Sequence, residues 1–246
     1  MSQLEQTVAR YRSLRLSAAA DELTNLLAEA EANEMSYLSF ADRLAEHELT
    51  QRQDKRIRRN RKMAAFPAEK RLEGFDYRHQ TTITKRQVNA LLDFQFIDER
   101  KNLVFIGPPG VGKTHLAIGI GHKAGEAGYR VLFRNALDLV EELELAEMKG
   151  ELKKRVSQLA KYYQLVIDEL GYLPMTRQAR YNLFQLINSL YEYRSIILTT
   201  NKDFTSGGEF FHDDNVEVPI IDRVIHHSNI VMLGGESYRL KQKTTG

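Results

Sequence analysis

The run Gly107-Pro108-Pro109-Gly110-Val111-Gly112-Lys113-Thr114 matches the phosphate-loop template G-x-x-x-x-G-K-[ST], directly after an apolar stretch, Leu103 to Ile106, that reads as a strand. A glycine-rich turn between a strand and a helix constrains the architecture more than any other feature of this chain. The residue types divide the work. Glycines let backbone N–H groups approach phosphate oxygens, Lys113 meets the β and γ phosphates, and the Thr114 hydroxyl can ligate Mg²⁺. The expected nucleotide-binding set is Gly107, Pro108, Pro109, Gly110, Val111, Gly112, Lys113, Thr114 and His115, for a nucleoside triphosphate.

At 246 residues, 42% hydrophobic and 28% charged, the chain is long enough for one full core and a small extra domain. No apolar run approaches the roughly 18 residues of a membrane span, and Met1-Ser2-Gln3-Leu4-Glu5 lacks a basic segment followed by an apolar one. A cytoplasmic protein with no membrane partner is expected. The absence of cysteine excludes disulfides and thiolate metal sites. The histidines are not spaced like a metal cluster, and adjacent His226 and His227 would point to different faces of a helix. Net charge is +2, but residues 1–51 carry four basic and nine acidic side chains. The next stretch reverses this, with Arg52, Lys55, Arg56, Arg58, Arg59, Arg61 and Lys62 against Asp54 alone. Such local polarity suits a nucleic-acid contact surface.

Apolar positions Leu4, Val8, Tyr11 and Leu14, then Leu23, Leu26 and Leu27, then Leu38, Ala41, Leu44, Ala45 and Leu49 recur at three-to-four spacing. They predict a small all-helical domain over residues 1–66, with Ser36 as an N-cap and Phe66-Pro67 ending the last helix. Glu69 to Gln87 reads as a linker or entry loop. Residues 67–246 form the second domain, with strands expected at Leu103 to Ile106, Arg130 to Phe133, Leu165 to Ile167, Ile196 to Leu198 and Ile230 to Leu233. Strands alternating with helices argue for an α/β fold, a five-stranded parallel sheet sandwiched by helices.

Past the phosphate loop, Gln164-Leu165-Val166-Ile167-Asp168-Glu169 is an apolar strand ending in two carboxylates, where sheets of this class place ligand groups. Asp168 is expected to hold Mg²⁺ with Thr114, and Glu169 to orient and deprotonate water, since hydrolysis needs a base near the attacking water. Ser195-Ile196-Ile197-Leu198-Thr199-Thr200-Asn201 puts a polar amide at the end of the next strand. Asn201 can meet the attacking water or the γ phosphate, or it is an ordinary turn residue capping the following loop.

Together these three motifs resemble the AAA+ ATPases, in particular the clade of bacterial initiators and helicase loaders, over residues 70–240. The resemblance implies ATP and Mg²⁺ as cofactors and catalytic roles for Lys113, Asp168, Glu169 and Asn201, the last as sensor 1. It also implies an arginine finger at Arg223, within Val218-Pro219-Ile220-Ile221-Asp222-Arg223-Val224, acting on a neighbouring subunit's nucleotide; a helix-surface arginine paired with Asp222 is the alternative. No C-terminal lid is expected, because Glu236-Ser237-Tyr238-Arg239-Leu240-Lys241 resembles the short tail of lidless members. There Arg239 takes a sensor 2 role, with a solvated basic tail as the alternative. Asp168-Glu169-Leu170-Gly171-Tyr172-Leu173-Pro174, Ile221-Asp222-Arg223-Val224-Ile225-His226-His227 and Gly235-Glu236-Ser237-Tyr238-Arg239-Leu240 are similar to the IstB family, ATP-binding helpers of insertion-sequence transposition. That likeness extends over the whole chain, including Phe75-Asp76. One departure is Ser206-Gly207-Gly208-Glu209, where the family pattern has tryptophan at Gly207.

The resemblance implies duplex DNA, further copies of the chain and a transposase as partners. The run Arg52 to Lys62 offers phosphate contacts, which fix position without reading sequence. A second basic set, Lys149, Lys153, Lys154 and Arg155, with Lys161, lies between the second and third strands, although Glu147 and Glu151 can pair with it instead. Neither set is interleaved with aromatics as single-strand stacking requires. The expected function is an ATP-dependent, DNA-binding ATPase that oligomerises on target duplex and stimulates a transposase. A replicative helicase loader is the alternative, told apart by its partner and by preference for single strands.

Overall fold

The computed structural model describes residues 2–171, 175–201 and 217–244. Tyr172, Leu173 and Pro174 of the family motif, and Ser206 to Glu209, lie outside the described residues. The chain divides into two compact units, Met1–Arg59 and Asn60–Gly246.

Three helices form the first unit: α1 (Gln3–Ser13), α2 (Ser17–Ala32) and α3 (Tyr37–Ala64), the last running on beyond it. Local chemistry sets their starts. Glu5 N–H donates to Ser2 Oγ (3.2 Å) while Ser2 N–H donates to Glu5 Oε2 (2.6 Å), a reciprocal capping box. Ser36 caps α3 as expected, accepting from Ser39 N–H at 3.1 Å. No side chain caps α2 from its own N-cap, Leu16. Its orphan donor at Ala19 is met instead by Glu48 of α3 (2.9 Å), a carboxylate only 6% exposed that also accepts from Arg52 Nε at 2.7 Å. Leu23, Leu26, Leu44 and Ala19 form the small core, with Leu4, Val8, Tyr11 and Phe40 packed on it. Leu14, Leu38 and Leu49, assigned to the apolar stripe by spacing, are instead exposed.

The sequence reading divides the chain at 66/67, whereas the compact units divide inside α3 at Arg59/Asn60. The last turn of α3 belongs with the second unit because Asn60 Nδ2 faces the carbonyls of Gly128 and Tyr129 and Ala64 is buried.

In the second unit, strands β1 (Asn102–Ile106), β2 (Val131–Asn135), β3 (Gln164–Leu170), β4 (Ser195–Thr200) and β5 (Ser228–Met232) form one parallel sheet in the order β2-β3-β4-β1-β5. All five fall where the apolar runs place them. Alternation along each strand feeds two cores. Val104, Ile106, Leu165, Ile167 and Leu198 pack with α7 (Ala136–Met148), α8 (Leu152–Leu159), α9 (Arg177–Leu190) and α10 (Glu217–His226). Leu103, Phe105, Val131, Val166 and Ile197 pack on the opposite face with α4 (Lys85–Ala90), α5 (Gln95–Asp98) and α6 (Lys113–Glu126). A short α11 (Tyr238–Thr244) follows β5.

The expected linker is built into the core. Leu72 and Ile83 are buried, Leu72–Gly74 makes a 3₁₀ turn, and Thr84 with Gln87 forms a capping box that starts α4 before the expected end of the loop. Among the described residues, no helix is long and apolar enough to cross a membrane.

Candidate nucleotide site

At the carboxyl end of β1 the chain turns through the phosphate loop into α6. Gly107 N–H donates to Thr200 O of β4 at 3.2 Å, tying the loop to the neighbouring strand. Gly110 (φ +82°) and Gly112 (φ +99°) occupy left-handed conformations, and a Cβ on Gly110 would sit 2.1 Å from Ser237 Oγ. Glycine is thus demanded there twice, by backbone and by space. Lys113 is 6% exposed, and its Nζ donates to Gly107 O and Pro108 O, both at 2.7 Å. Burial pulls its pKa below the usual lysine range, against the attraction of Asp168 and Glu169.

Asp168 and Glu169 occupy a β-bulge. Ile167 pairs with Leu198 and Leu170 with Thr200, so two residues of β3 face Thr199 alone. Strict alternation would send the two carboxylates to opposite faces of the sheet; the bulge instead leaves Asp168 buried and brings Glu169 into the cleft. Glu169 adopts φ +63°, a left-handed conformation that costs a non-glycine residue about 1–3 kcal/mol. Thr199 clips the bulge: Glu169 N–H donates to its Oγ1 (2.9 Å), and that hydroxyl donates to Asp168 Oδ1 (2.5 Å). Thr114 Oγ1 donates to the same oxygen at 2.9 Å. Burial pushes the Asp168 carboxyl up, opposed by these two hydroxyls.

Lys113, Thr114 and Glu169 line one cleft of about 400 Å³, with Asp168 held behind it by Thr114. Its walls include Pro109 to His115, Glu169, Asn201 and Arg239, so the structure brings together Lys113, Thr114, Asp168, Glu169, Asn201 and Arg239. Arg239 arrives because Tyr238 N–H at the start of α11 donates to Gly110 O at 3.0 Å. His115 faces the cleft with Nε2 2.6 Å from Arg71 O. Thr114 and Asp168 offer a hydroxyl and a carboxylate oxygen side by side at the helix start, a hard-oxygen pair that fits Mg²⁺.

Arg223 lies outside this cleft. Its Nε donates to Asn188 Oδ1 (2.9 Å) and its guanidinium lies 5.0 Å from the centre of the Phe184 ring, so it rests on α9 rather than on Asp222.

The remaining wall comes from the expected linker and went unassigned in the sequence: Lys70, Phe75, Asp76, His79 and Gln80. Gln80, 4% exposed, is a three-way clip. Its Nε2 donates to Val111 O (2.9 Å) in the phosphate loop and to Gly234 O (3.0 Å) after β5, while its Oε1 accepts from Thr82 N–H at 2.9 Å. A lone glutamine carries no motif; only Phe75-Asp76 marked this segment. Thr199 was visible only as one of the hydroxyl residues of β4, beside Ser195 and Thr200.

Both basic sets are on helices. All seven residues of the first lie on α3 and are exposed, with Arg52 paired to Glu48 (2.7 Å) and Arg61 to Glu69 (2.5 Å). In the second, Lys149 caps the end of α7 and Lys153, Lys154 and Arg155 lie on α8. Lys154 pairs with Glu151 (2.9 Å) and Arg155 with Glu142 (2.6 Å), so two members of that set are held by acids.

Strand order, phosphate loop and carboxylate bulge define a nucleotide-binding protein of the phosphate-loop class. The chain belongs to the IstB-like ATP binding protein family, whose model matches residues 9–246. It is 40% identical over 230 residues to the ATP-binding protein of insertion sequence IS5376 from Geobacillus stearothermophilus, covering 94% of this chain and 92% of that one. It is 39% identical over 243 residues to the ATP-binding protein of IS21 from Pseudomonas aeruginosa, covering 99% and 91%. Among solved structures, AMPPCP-bound DnaA from Aquifex aeolicus superposes with a TM-score of 0.55 at 22% identity, over 73% of this chain and 56% of that one. DnaI does so with a TM-score of 0.54 at 18% identity, over 69% and 95%. At these identities the likeness is one of fold.

Proposed function

We propose that this chain is an ATPase helper of transposition that assembles on duplex DNA and hands that target to a transposase. The observation that carries the reading is the near-full-length identity to insertion-sequence ATP-binding proteins, joined to a cleft in which the required side chains converge. Lys113 exchanges the two loop carbonyls it now meets for β and γ phosphate oxygens. Asp168 and Thr114 would hold Mg²⁺, which when bound neutralises phosphate charge as the terminal bond breaks. Glu169 takes the proton of the attacking water, and Asn201 orients that water. Arg223 leaves its rest on α9 to stabilise charge at a neighbouring copy's nucleotide, which couples hydrolysis to assembly. Exposed basic residues of α3 contact phosphates, and the duplex is the favoured form because these positives are not interleaved with stacking aromatics.

The test is binding of the purified chain to labelled duplex, with matched single strands as competitor, in ATP and in ADP at one salt concentration. Tight, ATP-dependent, sequence-tolerant duplex binding is expected, followed by stimulation of a transposase. Preference for single strands transfers the reading to a helicase loader.

A further inference from the structure

Soon after α3 ends, the chain brings into the cleft a cation that the phosphate-loop template does not include. Lys70 is half-buried and lines the same cavity as Lys113, Glu169, Asn201 and Arg239. Its mounting is rigid. The next residue, Arg71, offers its carbonyl to His115 Nε2 of α6 at 2.6 Å, and its guanidinium bridges Glu69 and Glu126. Leu72 then fills the space above Gly119, where an added Cβ would lie 2.6 Å from Leu72 Cδ2. The carboxylate beside Lys70 in sequence, Glu69, is taken up by Arg61 and Arg71. Lys70 shares the lining of this cleft with Glu169 and Asn201, the two groups assigned above to the attacking water.

We propose that Lys70 contacts the terminal phosphate and is the group through which this cleft distinguishes a nucleoside triphosphate from a diphosphate. The proposal rests on the ATP reading above. Lys113 serves both the β and the γ phosphate, so much of its attraction is common to the two nucleotides. A cation that lines the cleft with Glu169 and Asn201 and meets the third phosphate adds attraction only when that phosphate is there, and only such differential contact separates two ligands.

The experiment measures affinities of the full chain for ADP and for the non-hydrolysable triphosphate AMPPCP, both with Mg²⁺, in the parent and in Lys70→Met, Lys70→Gln and Lys70→Arg. The expected result is a loss of about tenfold for AMPPCP in the Met and Gln variants. ADP affinity stays within about twofold, and Arg restores most of the triphosphate preference. Equal loss for both nucleotides, or no loss for either in whichever of the two neutral variants folds, overturns the proposal and leaves the ATP reading standing. A parent chain that binds neither nucleotide overturns both.

Discussion

Thr199 is a small residue with a large consequence, because its hydroxyl both fastens the bulge and steadies a buried carboxylate. Two predictions belong at this scale. Glu169→Gln keeps the bulge and the shape of the side chain but removes the base. ATP turnover is expected to fall at least about 100-fold while ATP affinity stays within about twofold, measured by steady-state hydrolysis and equilibrium binding. Unchanged turnover would remove Glu169 from the chemistry. Asp168 carries the opposite kind of burden. Its folded pKa is raised by burial, so the folded state binds its proton more firmly than the unfolded chain does. The associated stability is present below the ordinary aspartate value and is lost as pH rises through the folded value. At neutral pH the ionised carboxylate therefore weighs against folding. Asp168→Asn is expected to raise the melting temperature of the nucleotide-free protein by about 2–4 °C at pH 7, with the gain shrinking toward pH 4, in thermal unfolding across that range. A lower melting temperature at pH 7 would show that the Thr114 and Thr199 hydroxyls more than offset the burial.

At the scale of elements, the two basic helices differ in what their charges already do. Arg155 on α8 is locked to Glu142, which also holds Arg134, and so has a structural occupation. Arg58, Arg59 and Lys62 on α3 are exposed. Replacing these three by Ala is expected to lower the slope of log affinity against log salt for duplex by about 2.7, at about 0.9 for each phosphate no longer neutralised. An unchanged slope in a titration from low to moderate salt would move the DNA surface elsewhere. The strands were legible in sequence because each is a short aliphatic run between turn residues, and the phosphate loop and the Asp168-Glu169 pair because their spacing is the chemistry itself. The wall made by Lys70 to Gln80 was not. Its role comes from tertiary hydrogen bonds to Val111 and Gly234, which leave no periodicity. Nor does alternation reveal the bulge, since an extra residue in β3 changes no residue type.

At the scale of the whole molecule, the proposed catalytic set is divided: Lys113, Glu169, Asn201 and Arg239 share a cleft, while Arg223 rests on α9 outside it. Arg223→Ala is expected to abolish hydrolysis without changing ATP affinity, and turnover per parent subunit should rise with protein concentration; concentration-independent turnover would place all the chemistry within one chain. The strand order carries a further consequence for biosynthesis. β1, which ends in the phosphate loop, is flanked by β4 and β5, and both are made long after it. On the ribosome β1 must wait for these neighbours, so the loop acquires its Thr200 and Leu233 contacts only after β4 and β5 have emerged. A nascent chain that stops short of β4 therefore carries the phosphate-loop sequence without the neighbours that fix its shape.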